Sequence, residues 1–355
     1  FYAFEAGRMP ALLSPASPRQ KELPTHRRRR LACRYPALPV HFSAMEYRRL
    51  GSTDIQVSVV GLGCWAIGGE VAVWGPVDDN EAIAAIQQGL DLGITLIDTA
   101  PAYGYGHSEE LVAKAIAGRR DQVVVATKCG LVWKEPGGKI ERCLNPRSVM
   151  AECAASLRRL RVETIDLYQI HWPDPNTPLQ ATMEALVRLR EQGKIRAIGV
   201  SNFNCQQMTE ARKYGPVECL QPELSMLERT ATEDLLPYCR EYNLGVLAYG
   251  PLARGLLSGK FGPTSRFTDL RARDARFSGP AFARNLALVD KLKAIAGRLE
   301  CTVAQLALRW VIQQEGVTAA LAGFKRTSQA VENAYAGDIT IPSAVMDEIN
   351  TILAE

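Results

Sequence analysis

The chain is predicted to be an α/β protein, one closed parallel (β/α)8 TIM barrel preceded by an N-terminal β-hairpin. Three observations predict it. Short apolar runs alternate with amphipathic stretches from residue 45 to 355, composition does not change over that length, and nearly every run ends in a polar or aromatic residue able to do chemistry. Alternation alone fits an open doubly wound sheet equally. Eight such units without a compositional break favour one barrel.

Residues 1–44 are rich in proline and arginine and show neither alternation nor a helical stripe. They are expected to be a disordered leader, or sequence upstream of the native start. An organelle-targeting segment fits less well, because serines are few and the apolar patch near Leu12 is broken by prolines. Structure is expected from Met45, over a single domain 45–355. Residues 47–51 and 55–58 alternate around a Gly-Ser-Thr-Asp turn, which reads as the hairpin. The expected barrel strands are 59–63, 95–98, 123–128, 166–171, 197–201, 219–221, 245–249 and 319–323. Amphipathic helices are expected between them, at 80–92, 146–160, 182–191, 232–242 and 286–298, with another near 346–353.

Gly61-Leu62-Gly63-Cys64-Trp65-Ala66 fits the G-x-G-x-x-G/A dinucleotide fingerprint. In that fingerprint the third position opens a helix facing the pyrophosphate. Here Gly68, Gly69 and Trp74-Gly75-Pro76 come before any helical stripe, so the context is wrong.

Bulk properties narrow the function. The formal charge is +4, but residues 1–44 carry eight basic residues against Glu5 and Glu22; removing that +6 leaves −2 for the remainder. Such a balance gives no basic face for nucleic acid. Nine cysteines without a Cys-x-x-Cys pair read as reduced thiols of a cytoplasmic protein. Only His107 and His171 lie beyond residue 44, too few for a histidine-rich metal centre, and no run of 18 apolar residues could span a membrane. A metal-dependent barrel hydrolase is disfavoured on the same count. No feature reports oligomeric state.

The strand ends carry the functional signal. Asp98, Lys128, His171, Ser201 with Asn202, Gln221 and Tyr249 close successive runs, and in a (β/α)8 barrel all C-terminal strand ends meet on one face. Each has a plainer reading. Asp98 fits a turn cap before Pro101, Lys128 a solvated residue, His171 a satisfied rim histidine, and Ser201-Asn202 the cap of the next helix. Together, though, an Asp, a Lys, a Tyr and a His make a proton donor that needs no metal. A phenol titrates near pH 10, and an adjacent ammonium is expected to lower that value. Asp98 would hold Lys128, Tyr103 would protonate the developing alkoxide, and His171 would orient the carbonyl oxygen. The set suits carbonyl reduction, with hydride supplied by a cofactor.

At these residues the sequence resembles the aldo-keto reductase superfamily, through Ile97-Asp98-Thr99-Ala100-Pro101-Ala102-Tyr103-Gly104, Ala126-Thr127-Lys128, Ile170-His171-Trp172 and Gly199-Val200-Ser201-Asn202-Phe203. Within it, Gly63-Cys64-Trp65-Ala66-Ile67-Gly68-Gly69, the segment 166–174 and Gly255-Leu256-Leu257-Ser258-Gly259-Lys260 are most similar to the bacterial general-stress reductases. The resemblance implies a catalytic tetrad of Asp98, Tyr103, Lys128 and His171. It implies NADPH as cofactor, NADH being possible, with Ser201, Asn202 and Gln221 on the carboxamide, Tyr249 stacked on the nicotinamide and Trp65 also in the cofactor site. The phosphates would lie along Gly250, Pro251, Leu252 and Arg254, and the adenosine end at Gly323, Lys325, Arg326, Gln329 and Asn333. The family pattern has a small residue then Arg where Phe324 and Lys325 stand, which loosens NADPH preference. The lone cations there oppose the following helix dipole unless an anion binds.

The expected substrate is a small apolar or aromatic aldehyde or ketone, with Trp65, Trp74, Tyr105, Trp133 and Trp172 near the rim. Broad acceptance is expected, because little sequence follows the last helix to narrow the pocket. The alternative is a non-catalytic or weakly catalytic dinucleotide-binding regulatory subunit, as in potassium-channel β-subunits of the same fold.

Overall fold

A computed structural model describes residues 45–69 and 71–354; the expectation for residues 1–44 lies outside them. Strands β1 (Tyr47–Arg49) and β2 (Gln56–Ser58) pair antiparallel as the hairpin. The barrel strands are β3 (Val60–Gly63), β4 (Leu96–Asp98) and β5 (Val124–Cys129), then β8 (Ile165–Ile170), β9 (Ile195–Ser201), β10 (Cys219–Gln221), β11 (Gly245–Tyr249) and β12 (Ala319–Gly323). All eight pair parallel in sequence order, and β12 closes on β3. Between β5 and β8 a small antiparallel pair, β6 (Leu131–Val132) and β7 (Glu141–Arg142), was not foreseen, because two-residue strands carry too little alternation to read.

Inward and outward residues alternate on the barrel strands. Leu96, Ala126, Leu167, Ala197, Cys219, Leu247, Ala319 and Leu321 fill the interior with Leu50, Ile55 and Val57 of the hairpin. The hairpin therefore plugs one end of the barrel. Gly51 (φ +54°) fits there because a Cβ would overlap the Gly245 backbone nitrogen. The outward set, including Val60, Leu62, Ile97, Val125, Tyr168, Ile170, Ile198 and Val246, packs against the helices in a second apolar layer.

Helices Asp79–Asp91 and Pro146–Leu160 start on side-chain caps, Asp78 and Asn145. The expected helix 232–242 is instead a 3-10 turn, Thr230–Thr232, followed by Leu235–Glu241. Pro237 has no N–H for the carbonyl four residues back, so it is accommodated only in a first turn. The helix expected from 286 begins at Gly279, with Pro280 in its first turn. Every residue of the helix Val303–Ile312 is buried, so it has no polar face to announce it. After β3 the chain makes a 3-10 turn, Cys64–Ile67, and not the helix of a dinucleotide fingerprint. Among the described residues no helix is long and apolar enough to cross a membrane, and no His, Cys, Asp and Glu group is arranged to hold a metal.

Candidate active site

The inward-facing positions at the C-terminal ends of the strands are polar. Asp98 ends β4, Lys128 lies next to the end of β5, and register pairs Lys128 with Gln169 on β8 and Gln169 with Gly199 on β9. Ser201 of β9 pairs with Gln221 of β10, and Tyr249 ends β11. His171 follows β8 directly, its backbone N–H donating to the Cys129 carbonyl at 3.0 Å.

Lys128 is the centre. Its ammonium donates to Asp98 Oδ1 at 2.6 Å, to the Thr99 carbonyl at 3.0 Å and to the Tyr103 hydroxyl at 3.0 Å. Those are all three of its protons. Both Lys128 and Asp98 are buried. Burial pulls the Lys128 pKa down most strongly of any one influence, but the Asp98 carboxylate and the Tyr103 hydroxyl together outweigh it and hold the ammonium above the usual lysine value.

Tyr103 reaches this point from the loop after β4. The imidazole of His171 meets its ring edge-on at 5.7 Å, and Trp65 lies near-parallel to it at 6.2 Å. Burial pushes the phenol above its usual value, and the Lys128 ammonium pulls it back only in part. The expectation that the ammonium would lower the phenol below normal is thereby corrected. Desolvation penalises phenolate more than one ammonium, itself shared with Asp98, can repay. Burial and the Lys128 charge hold the His171 imidazole well below its usual value, so it is neutral.

The other predicted residues gather around this centre. Ser201 Oγ donates to the Gln221 carbonyl at 2.8 Å. Asn202, at φ +61°, donates to the His171 carbonyl at 2.9 Å and accepts from the Tyr249 hydroxyl at 2.9 Å. Gln221 donates to Asp98 Oδ2 at 2.8 Å. Trp65 is exposed and meets Trp74 edge-on at 5.0 Å. Beyond β11, Gly250 (φ +68°), Pro251 and Leu252 lead into a tight turn with Ala253, Arg254 and Gly255 all at positive φ. Arg254 pairs with Asp274 at 2.9 Å, and Asp274 also holds Arg276.

At the segment expected to take the adenosine end, 323–333, the structure qualifies two expectations. The anion at the start of helix Thr327–Tyr335 is supplied by the protein, since Glu81 Oε1 accepts the Thr327 N–H at 2.9 Å. Lys325 and Arg326 therefore need no bound anion to offset the helix dipole. Gln329 accepts the Lys325 backbone N–H at 2.8 Å, and Asn333 donates to the Gly323 carbonyl at 3.2 Å, so both side chains brace their own loop. Phe324 is buried in the core. Lys325 donates to the Trp74 carbonyl, and its pKa is lowered by burial and then by Arg271, with Lys260 and Arg326 adding to the repulsion. Lys260 is lowered by burial and then by Arg271 and Arg326. Four cations thus crowd together near Asp269 and Glu332.

Sequence reasoning did not find Gln169, Lys260, Arg271 or Arg276. Only Gln169 carried a signal, as an inward position two residues before His171 on a strand whose inward parity was readable.

The model of the family described as "Aldo/keto reductase family" matches residues 59–354. The chain is similar to aldo-keto reductase YhdN of Bacillus subtilis, 44% identical over 87% of this chain and 94% of that protein. It is also similar to the NADH-specific methylglyoxal reductase of Escherichia coli, 37% identical over 83% of this chain and 94% of that one. Among solved structures, the glycerol dehydrogenase AKR11B4 of Gluconobacter oxydans matches with a TM-score of 0.80 at 42% identity, covering 87% of this chain and 95% of that chain. The holo form of aldo-keto reductase AKR11C1 of Bacillus halodurans matches with a TM-score of 0.75 at 28% identity, over 87% and 96%.

Proposed function

This chain belongs to the aldo/keto reductase family and is an NAD(P)H-dependent oxidoreductase; from that premise we propose that it reduces a small aldehyde or ketone, binds NADPH more tightly than NADH, and uses Tyr103 as the general acid. The observation that carries this reading is the buried Lys128 ammonium bridging the Asp98 carboxylate and the Tyr103 hydroxyl at 2.6 and 3.0 Å.

The residues present fit a nicotinamide dinucleotide. Ser201, Asn202, Gln221 and Tyr249 would hold the nicotinamide end, the positive-φ turn at 250–255 the phosphates, and Lys260, Arg271, Lys325 and Arg326 the anionic adenosine end. Two features of the fold support the fit. Four cations crowd at one place, and the buried Trp74 indole N–H beside them has no partner among the described residues. The chemistry a reduced nicotinamide supplies when bound is hydride delivery to the carbonyl carbon.

The chain's own residues do the rest. Tyr103 stays protonated in its buried setting, so it is ready to donate as negative charge builds on the carbonyl oxygen. Lys128 stabilises the phenolate left behind, at a cost already met by Asp98. The neutral imidazole of His171 directs that oxygen. Trp65 walls the mouth beside Tyr103. Relatives named for methylglyoxal and for glycerol support a small substrate. Preference for NADPH rests on the four cations; with Glu81 at the helix start and a relative named NADH-specific, NADH is expected to be accepted more weakly.

The test is Tyr103→Phe, which keeps the ring and removes the acid. Reduction of a reactive aldehyde, followed by nicotinamide absorbance, should fall by roughly 10² to 10⁴ while NADPH still quenches protein fluorescence. Near-normal turnover would overturn the assignment.

A further inference from the structure

We propose that Gln169 is a positioning residue of the proton-transfer machinery: its amide, with that of Gln221, clamps the second carboxylate oxygen of Asp98, so that Asp98 keeps the Lys128 ammonium on the Tyr103 hydroxyl. This rests on the reading of Tyr103 as the general acid.

Asp98 Oδ1 is occupied by Lys128 at 2.6 Å. Its Oδ2 receives Gln169 Nε2 at 3.2 Å and Gln221 Nε2 at 2.8 Å, and Gln221 Nε2 also donates to Gln169 Oε1 at 3.2 Å. An ionised carboxylate only accepts, so both amides must turn their nitrogens toward it, and each amide fixes the other's orientation. The three side chains form a closed ring inside the barrel, each buried and each on a different strand.

The fold reserves room for this ring. Gly199, the register partner of Gln169 on β9, has no side chain where a Cβ would stand 2.9 Å from Gln169 Cγ. A lone Lys128 leaves half of a buried carboxylate without partners, and such a group reorients or attracts other donors. Rotation of Asp98 about its side chain would carry Lys128 away from a hydroxyl that it meets at 3.0 Å. Gln169 is fully buried, and its amide reaches Asp98 and Gln221.

The titratable groups around the pair are few. Lys128 comes from β5, Tyr103 from the loop after β4, and His171 from the end of β8. Cys64 after β3 and Cys219 on β10 also face it, both thiols held uncharged far above their usual range by burial. A second carboxyl placed at residue 169 would therefore couple to Asp98 directly.

Gln169→Leu and Gln169→Glu, made beside Tyr103→Phe, test the inference. Loss of a hydrogen bond to a charged group predicts a kcat for Gln169→Leu lower by roughly tenfold to a hundredfold, with KM for the carbonyl compound within about twofold. Gln169→Glu is nearly isosteric. It should be equally impaired at pH 8, where two carboxylates face each other, and should recover as pH falls and one takes a proton it can donate. The melting temperature of its cofactor-free form should follow the same course. A Gln169→Leu enzyme with kcat within twofold of the parent overturns the inference, as does a Gln169→Glu deficit that does not change with pH. Should Gln169→Leu not fold, the Glu variant alone decides. If Tyr103→Phe retains turnover, the general-acid reading has failed; if that variant is inactive and the Gln169 variants are normal, only the clamp has.

Discussion

Lys128 works because every one of its protons is committed: Asp98, Thr99 and Tyr103 surround a buried ammonium that would otherwise be too costly to keep. Removing either charge of the pair strands the other, so Lys128→Met and Asp98→Asn should each nearly abolish carbonyl reduction, and the double variant should be little worse than either. A double-mutant cycle on kcat/KM checks this; additive losses would separate the two residues. His171 gives a second expectation. Its imidazole is held well below the usual value by burial and Lys128, so it stays neutral as pH falls through 6.5. The kcat/KM profile should therefore show no break near pH 6.5, and acid loss should begin only well below it. A titration near 6.5 that vanishes in His171→Ala would contradict this.

At the scale of elements, the loop carrying Tyr103 is fixed by backbone against backbone. Gly104, at φ +66°, lies so close to Gly68 that a Cβ would overlap its carbonyl oxygen, and a Cβ on Gly68 would stand 2.7 Å from the Tyr103 carbonyl carbon. Both loops must therefore move if either glycine gains a side chain. Gly118 is a useful control, with φ +76° and nothing within 4 Å of its Cβ position. Gly118→Ala should cost only the roughly 1–2 kcal/mol of a left-handed alanine and leave turnover intact. Gly104→Ala should cost clearly more in denaturant melts and lower kcat as well, because it displaces the phenol. The resemblance marked Gly104 and Gly68 by position in a motif, but their contact joins two loops far apart in the chain.

Across the whole molecule, the hairpin and the barrel share one core. Leu50 is fully buried with Leu96, Leu167 and Leu247, so Leu50→Ala should destabilise by about 2–5 kcal/mol, measured by urea unfolding. The opposite end of the barrel carries the charge. NADPH should bind more tightly than NADH, and the gap should shrink in Lys325→Ala/Arg326→Ala and at high salt, where exposed charges are screened. Fluorescence titration with both cofactors checks it, and equal dissociation constants in the parent protein would remove the preference.

By itself the sequence determined the eightfold alternation, the hairpin, and which polar residues end the strands, because the two-residue period of a strand and the common direction of a parallel barrel are local rules repeated eight times. Asp98, Lys128, His171, Ser201, Gln221 and Tyr249 were legible for that reason, and Tyr103 through its motif. Tertiary structure alone decided what depends on distance across the barrel. It set the balance of burial against Lys128 at the Tyr103 phenol, the Gln169–Asp98–Gln221 ring, and the placing of Glu81 at a helix start 246 residues away. A desolvation penalty and a hydrogen bond between strands belong to the space between residues, and no window of sequence contains that space.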